Sequence, residues 1–142
     1  MISNKINSGI MGNIEIPGDK SISHRSIIIP SISKGVTEIN NILMSEDVMH
    51  TLEAFKNLGV KIIKENKKVI IYGNGLKSLK KPKKNIYLGN SGTSARLLSG
   101  LLASQPFNSV LEGDESLSSR PMNRIMDPLK IMGAEFKNVS GK

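Results

Sequence analysis

Pro17-Gly18-Asp19-Lys20-Ser21-Ile22-Ser23-His24-Arg25 is the stretch on which the reading of this chain turns. Just before it, Asn13-Ile14-Glu15-Ile16 alternates as a short strand does, and Pro17-Gly18 is a pair that turns the chain. Asp19 or Ser21 can then cap a helix whose apolar face is expected to begin at Ile22 and run through Ile27, Ile28 and Ile29. Lys20, Ser21 and Arg25 fall in the loop and first turns of that helix. Two cations and a hydroxyl thus stand beside free backbone N–H groups at the positive end of a helix dipole. Such a place holds a phosphate or a carboxylate. Taken alone, the stretch is equally an ordinary N-cap with solvated basic residues.

The chain then repeats the pattern. Asn85-Ile86-Tyr87-Leu88 reads as a second short strand, followed by Gly89-Asn90-Ser91-Gly92-Thr93-Ser94 and a helical run with Arg96 in its first turns. Leu58-Gly59-Val60 closes one helix and Met132-Gly133-Ala134 another. Strands, arginines and closing glycines recur at a near-constant offset of about 72 residues, the mark of an internal repeat of one supersecondary unit. Two polar helix starts of this kind predict two anion sites on one side of the molecule.

Composition bounds the answer. The 142 residues suffice for one domain with a real core, and 38% hydrophobic content argues for a folded protein. Without cysteine there is no disulfide and no thiol chemistry, which suits a reducing cytoplasm. No leader-like apolar run opens the chain and no run of apolar residues is long enough for a membrane span, so a cytoplasmic protein is expected. The net charge of +8 calls for anionic partners. The densest basic tract, Lys77 to Lys84, carries five lysines and no aromatic ring. A non-catalytic module binding RNA or DNA is the competing reading of that charge. Single-strand sites usually add stacking rings, so a solvated loop is the better account.

In order, Val36 to Ile39 reads as a strand, and Ser45 caps a helix with the apolar stripe Val48, Met49, Leu52, Phe55 and Leu58. Val60 to Ile63 and Val69 to Tyr72 read as strands around a turn near Asn66. In the second unit the helix carries Leu97, Leu98, Leu101 and Leu102, and a strand follows at Ser109 to Leu111. The last helix is predicted to start near Arg120-Pro121, to bury Met122, Ile125, Met126, Leu129 and Met132, and to kink at Pro128. Each unit runs strand, helix, strand, helix, strand. The fold class is α/β (α+β), helices packed on sheets.

Three features could carry chemistry: Lys20-Ser21 with Arg25, the loop Gly89 to Thr93, and Arg120. The loop's glycines let an anion approach the backbone, but the Gly-Lys-Ser/Thr ending of a nucleotide P-loop is missing. Arg120 can offer a two-pronged donor to a carboxylate or phosphate. Each also has a plain reading as cap, turn or surface arginine. His24 and His50 lack the ligand company of a zinc site and are given structural roles. Nothing matches a nucleophile elbow.

Together, PGDKSISHR, GNSGTSARLL and GDESLSSRPM closely resemble the three N-terminal signatures of the enolpyruvylshikimate-phosphate synthase family, the 3-phosphoshikimate 1-carboxyvinyltransferases. They occur in that family's order and cover nearly the whole chain. The related family that transfers enolpyruvate to a UDP-sugar shares the architecture but lacks the Lys-Ser-Ile-Ser-His-Arg run. The resemblance implies an incomplete inside-out α/β barrel of repeated βαβαβ units. It implies that residues 1–17 belong as a strand to another domain, and that 18–142 form the first two units of the N-terminal domain.

It also implies a reaction. The 5-hydroxyl of shikimate 3-phosphate adds to carbon 2 of phosphoenolpyruvate and phosphate leaves, with no metal or other cofactor. Lys20 would contact both substrates, Ser21 and Arg25 would hold shikimate 3-phosphate, and Gly92 (through its backbone) and Arg120 would hold phosphoenolpyruvate. Asn90 and Thr93 would shape the same loop. Family members are much longer and monomeric, and their catalytic acid and base lie in the C-terminal part. The chain is therefore expected to be a fragment without turnover, prone to self-association through uncovered apolar faces.

Overall fold

A computed structural model describes residues 11–137. The elements are α1 (Lys20–Ile32), β1 (Lys34–Ile39), α2 (Glu46–Asn57), β2 (Lys61–Glu65), β3 (Lys68–Asn74), β4 (Ile86–Tyr87), α3 (Gly92–Ala103), β5 (Leu111–Glu112), α4 (Glu115–Ser118) and α5 (Asn123–Ile131). This is the expected mixture of helices and sheets. The helix starts Lys20 and Gly92 keep the spacing of the repeat. Gly59 and Gly133, just past the ends of α2 and α5, both take the left-handed conformation, with φ of 87° and 95°. Only a residue without a Cβ adopts it freely, so these glycines stop their helices.

In the first unit β1, β3 and β2 form an antiparallel sheet in that order, with Val36 opposite Tyr72 and Ile62 opposite Ile71. Val69, Ile71 and Gly73 turn one face of β3 inward, where Val69 and Ile71 join the core. Asn66, at the β2–β3 turn, sits at φ 50°, a conformation that asparagine tolerates. In the second unit β4 and β5 pair in parallel, Ile86 opposite Leu111, with α3 as the crossover. Ile27 of α1, Val48, Leu52 and Phe55 of α2, Leu98 of α3 and Ile86 of β4 are all sealed from solvent in one core. Three helices and two sheets thus share a single interior, which fixes the helix starts relative to one another.

Several expectations are corrected. Asn13 to Ile16 forms no strand. The segment lies exposed, because an alternating run needs a neighbouring strand and none pairs with it among the described residues. The α1 face is displaced: Ile27 is buried, but Ile22 and Ile29 are more than half exposed. The packed side of α1 is instead Ser23, His24, Ile27 and Ser31. The last helix does not begin at Arg120-Pro121. A helical turn, α4, comes first, capped by Asp114, whose Oδ1 accepts the Leu117 N–H at 2.7 Å. Arg120 lies in the link to α5, which starts at Asn123. Nor is the α5 face buried: Met122, Ile125, Met126 and Leu129 are half covered and Met132 is exposed. The helix has a clear apolar side, but too little protein lies against it.

Candidate functional site

At the start of α1, Asp19 caps the helix by accepting the Ile22 N–H at 2.7 Å. That fixes Lys20 and Ser21 in the first turn. Lys20 Nζ reaches across to Asp47 Oδ2 at 3.0 Å, in the first turn of α2. Asp47 is itself well placed at a positive helix end. Ser21 and Arg25 are both exposed, and their spacing of four puts them on one face of α1.

At the start of α3, Ser91 caps through its hydroxyl, which accepts the Ser94 N–H at 3.2 Å. Gly92 follows as the first helical residue, beneath two guanidiniums. A Cβ at this position would lie 2.7 Å from Arg96 Nη1 and 2.9 Å from Arg120 Nη1. Arg96 donates to the Gly92 carbonyl at 3.1 Å, and the Gly92 N–H donates to the Asn90 carbonyl at 3.0 Å. Arg120 is aimed by a short chain of side chains. Its Nη2 donates to Asn90 Oδ1, and the Asn90 amide donates to Asp114 Oδ2 at 2.9 Å. The Leu117 N–H, the Asn90 amide and the charge of Arg120 hold the Asp114 carboxyl below its ordinary range. Asp114 thus stays ionised and keeps Asn90, and through it Arg120, in place.

A buried line of polar side chains joins these two places. His24 Nδ1 lies 2.8 Å from Thr51 Oγ1, Thr51 Oγ1 lies 2.7 Å from Ser94 Oγ, and Ser94 Oγ lies 2.6 Å from Ser91 Oγ. His24, Thr51, Ser94 and Ser91 are buried. They occupy the early turns of α1, α2 and α3, so all three helices direct their N-termini to one end of the molecule. Three partial positive charges gather there, with Lys20 in the first turn of α1 and Arg120 over the start of α3, a setting that suits an anion.

The sequence model of EPSP synthase (3-phosphoshikimate 1-carboxyvinyltransferase) matches residues 5–142. The chain belongs to the EPSP synthase family. It is 53% identical over 139 residues to the 3-phosphoshikimate 1-carboxyvinyltransferase of Lactococcus lactis subsp. cremoris (strain SK11), covering 97% of this chain and 32% of that relative. To the protein of the same name from Oceanobacillus iheyensis it is 55% identical over 129 residues, covering 91% of this chain and 30% of the relative. Two solved structures of EPSP synthase from Acinetobacter baumannii match 92% of this chain and 30% of theirs at 48% identity, with TM-scores of 0.85 and 0.86. The chain spans about a third of the length of the relatives it matches.

Within this EPSP synthase-family chain, the structure brings Gly92 and Arg120 into contact and places Lys20 beside the start of α2. Lys20 and Gly92 each open a helix of the joined set, while Ser21 and Arg25 lie on the solvent side of α1. The Gly92 N–H, expected to meet a ligand, is engaged with Asn90. Gly92 contributes room, and the donors around it are arginines. Thr93 is half-buried beside it. His50 packs edge-on against Tyr87, ring centroids 5.3 Å apart. Sequence reasoning missed Asp47 as the partner of Lys20, Asp114 as the anchor of Asn90 and Arg120, and the Thr51–Ser94 link. The acidic residue three before Leu117 was a visible capping signal for Asp114; the others depend on contacts between distant segments. Among the described residues no group of three or more His, Cys, Asp or Glu could hold a metal ion, and no helix is long and apolar enough to cross a membrane.

Proposed function

We propose that this chain supplies the anion-gripping part of a 3-phosphoshikimate 1-carboxyvinyltransferase, an enzyme of aromatic amino acid biosynthesis through chorismate. Lys20, Ser21 and Arg25 take the phosphate side of shikimate 3-phosphate. Lys20, Gly92 and Arg120 take phosphoenolpyruvate. The 5-hydroxyl oxygen gives up its proton and bonds to carbon 2 of phosphoenolpyruvate as carbon 3 gains a proton; phosphate then leaves carbon 2 and carbon 3 loses a proton, which restores the double bond. No residue of this chain is assigned to those proton transfers. The chain's part is to overcome the repulsion between two phosphorylated reactants and to hold them together, which can be worth on the order of 7–11 kcal/mol.

The observation that carries this reading is the convergence of three helix N-termini at one end, with Lys20 at the first and Arg120 over the third. Membership of the family adds its substrates. We read the protein as cytoplasmic, acting on small molecules and needing no cofactor. The lysines of the 77–84 tract are exposed and carry no aromatic neighbour in sequence, which favours a solvated loop over a nucleic-acid surface. Exposed Ile131, Met132, Ile29 and Val36 are apolar surface through which copies of the chain would associate at high concentration, and sedimentation velocity checks this.

Isothermal titration with shikimate 3-phosphate tests the assignment. The Lys20→Ala/Arg25→Ala double variant is expected to lose at least about tenfold in affinity, the worth of one charge-assisted hydrogen bond or more. Unchanged affinity in that folded variant would remove the site from α1. A chimera in which the L. lactis relative supplies the remaining length extends the test to turnover.

A further inference from the structure

His24 is buried and the proposed chemistry gives it no task. Its ring is nevertheless tied to the site. Thr51 Oγ1 lies 2.8 Å from Nδ1, 2.7 Å from Ser94 Oγ and 3.3 Å from the Asp47 carbonyl, while His24 Nε2 is buried with no partner among the described residues. Counting donors favours one tautomer. If Nδ1 bears the proton, Ser91 donates to Ser94, Ser94 to Thr51, Thr51 to the Asp47 carbonyl and Nδ1–H to Thr51. Every donor then has an acceptor, and only an Nε2 lone pair goes unused. Either other protonation state leaves an Nε2–H buried without an acceptor, the costlier defect.

Thr51 is therefore the junction between α1 and α3. Lys20 lies one turn before His24 on the same face of α1, and Ser94 is two residues beyond Gly92 on α3. We propose that His24 is a positioning residue: a neutral imidazole, donating from Nδ1 to Thr51, that holds the start of α1 against the start of α3 and so fixes the spacing of Lys20 and Gly92. This rests on the functional reading above. The charged groups acting on the ring are Asp47 on α2 and Lys20 on its own helix, while α3 reaches it through the Ser94 hydroxyl.

The test has two arms. Long-range proton–nitrogen NMR on the wild-type chain reads the ring directly, with or without ligand. A protonated Nδ1 and a bare Nε2 are expected, and a proton on Nε2 would overturn the proposal. In the second arm Thr51→Val and His24→Leu remove the junction, whereas Thr51→Ser and His24→Asn keep a donor or acceptor in place. The first pair is expected to lose about 2- to 10-fold in affinity for shikimate 3-phosphate, the range of a lost hydrogen bond, and the second pair to stay within about twofold of wild type. Wild-type affinity in a folded Thr51→Val chain would also overturn it. Should the Val and Leu variants fail to fold, loss of affinity in both Thr51→Ser and His24→Asn would do so. Failure of the wild-type chain to bind shikimate 3-phosphate would count against the functional reading instead. The ring tautomer, and amide exchange in the first turns of α1 and α3 rising together in Thr51→Val but not Thr51→Ser, would still decide whether the junction exists.

Discussion

Arg120 occupies the space that a side chain at Gly92 would need: a Cβ there would lie 2.9 Å from Arg120 Nη1. Arg96 Nη1 is closer still, at 2.7 Å. Both obstacles are the free ends of long side chains, which swing aside at small cost. Alanine also suits a first helical turn better than glycine, by up to about 1 kcal/mol. Gly92→Ala is therefore expected to leave the thermal midpoint unchanged or slightly raised. Its effect falls on the ligand, because moving Arg120 breaks the Asn90 contact that aims it. In the chimera, the Michaelis constant for phosphoenolpyruvate should rise by about tenfold, the loss of one charge-assisted contact. A destabilised chain with a normal constant would show that the glycine serves folding alone.

Two residues with the same apparent capping role separate under substitution. Asp19 accepts the Ile22 N–H, so Asp19→Ala is expected to cost about 0.5–2 kcal/mol. Ser45 precedes α2, yet its hydroxyl makes no cap bond and is buried without a partner among the described residues. Removing a stranded hydroxyl relieves its desolvation, so Ser45→Ala should be neutral or stabilising. Urea unfolding of the two variants measures both. A larger loss for Ser45→Ala than for Asp19→Ala would contradict these geometries.

How much of this was legible in sequence follows from the range of each interaction. The starts of α1, α2 and α3 and the glycine stops at 59 and 133 depend on residues a few positions apart, and they stand where the spacing put them. The three strands of the first unit were legible in their alternation, but not their antiparallel order. The strand at 13–16 was not, because pairing needs a partner that alternation alone cannot supply. The α5 face failed similarly: Met132 has helical periodicity but little protein lies on it. Within the site, the signatures singled out Gly92 and Arg120, and the structure brings them into contact. Asp47, Thr51 and Asp114 entered only with the fold, since each acts on a residue at least 24 positions away.

The corrected burial pattern gives a direct contrast. Phe55 is fully enclosed between the helices and the sheet. Phe55→Ala should cost about 3–5 kcal/mol, a large share of the roughly 5–15 kcal/mol that holds a typical domain together. Met132 shares the apolar lettering of a core residue but is 80% exposed. Met132→Ala should move stability by less than about 0.5 kcal/mol. Equal losses in the two variants, measured by denaturant midpoint, would place Met132 in a packed interface instead.

The buried imidazole of His24 makes stability depend on pH with a definite sign. Burial pushes its pKa below the ordinary 6.5; Asp47 pulls it back up and Lys20 adds to the fall. The unfolded chain therefore binds a proton near pH 6.5 while the folded chain does not. As pH drops from 6.5 toward the folded value, protons favour the unfolded state and stability declines. Above 6.5 both states are neutral and the contribution is flat. Asp114, held below its ordinary 3.8, acts in the same direction, but only in more acid solution. Urea midpoints between about pH 7.5 and 5.5 should therefore fall in wild type. They should fall less in His24→Asn, which keeps a donor for Thr51 but cannot titrate. Parallel pH profiles for the two chains would mean that the ring takes up its proton in the fold as readily as in water, contrary to its enclosure between α1 and α2.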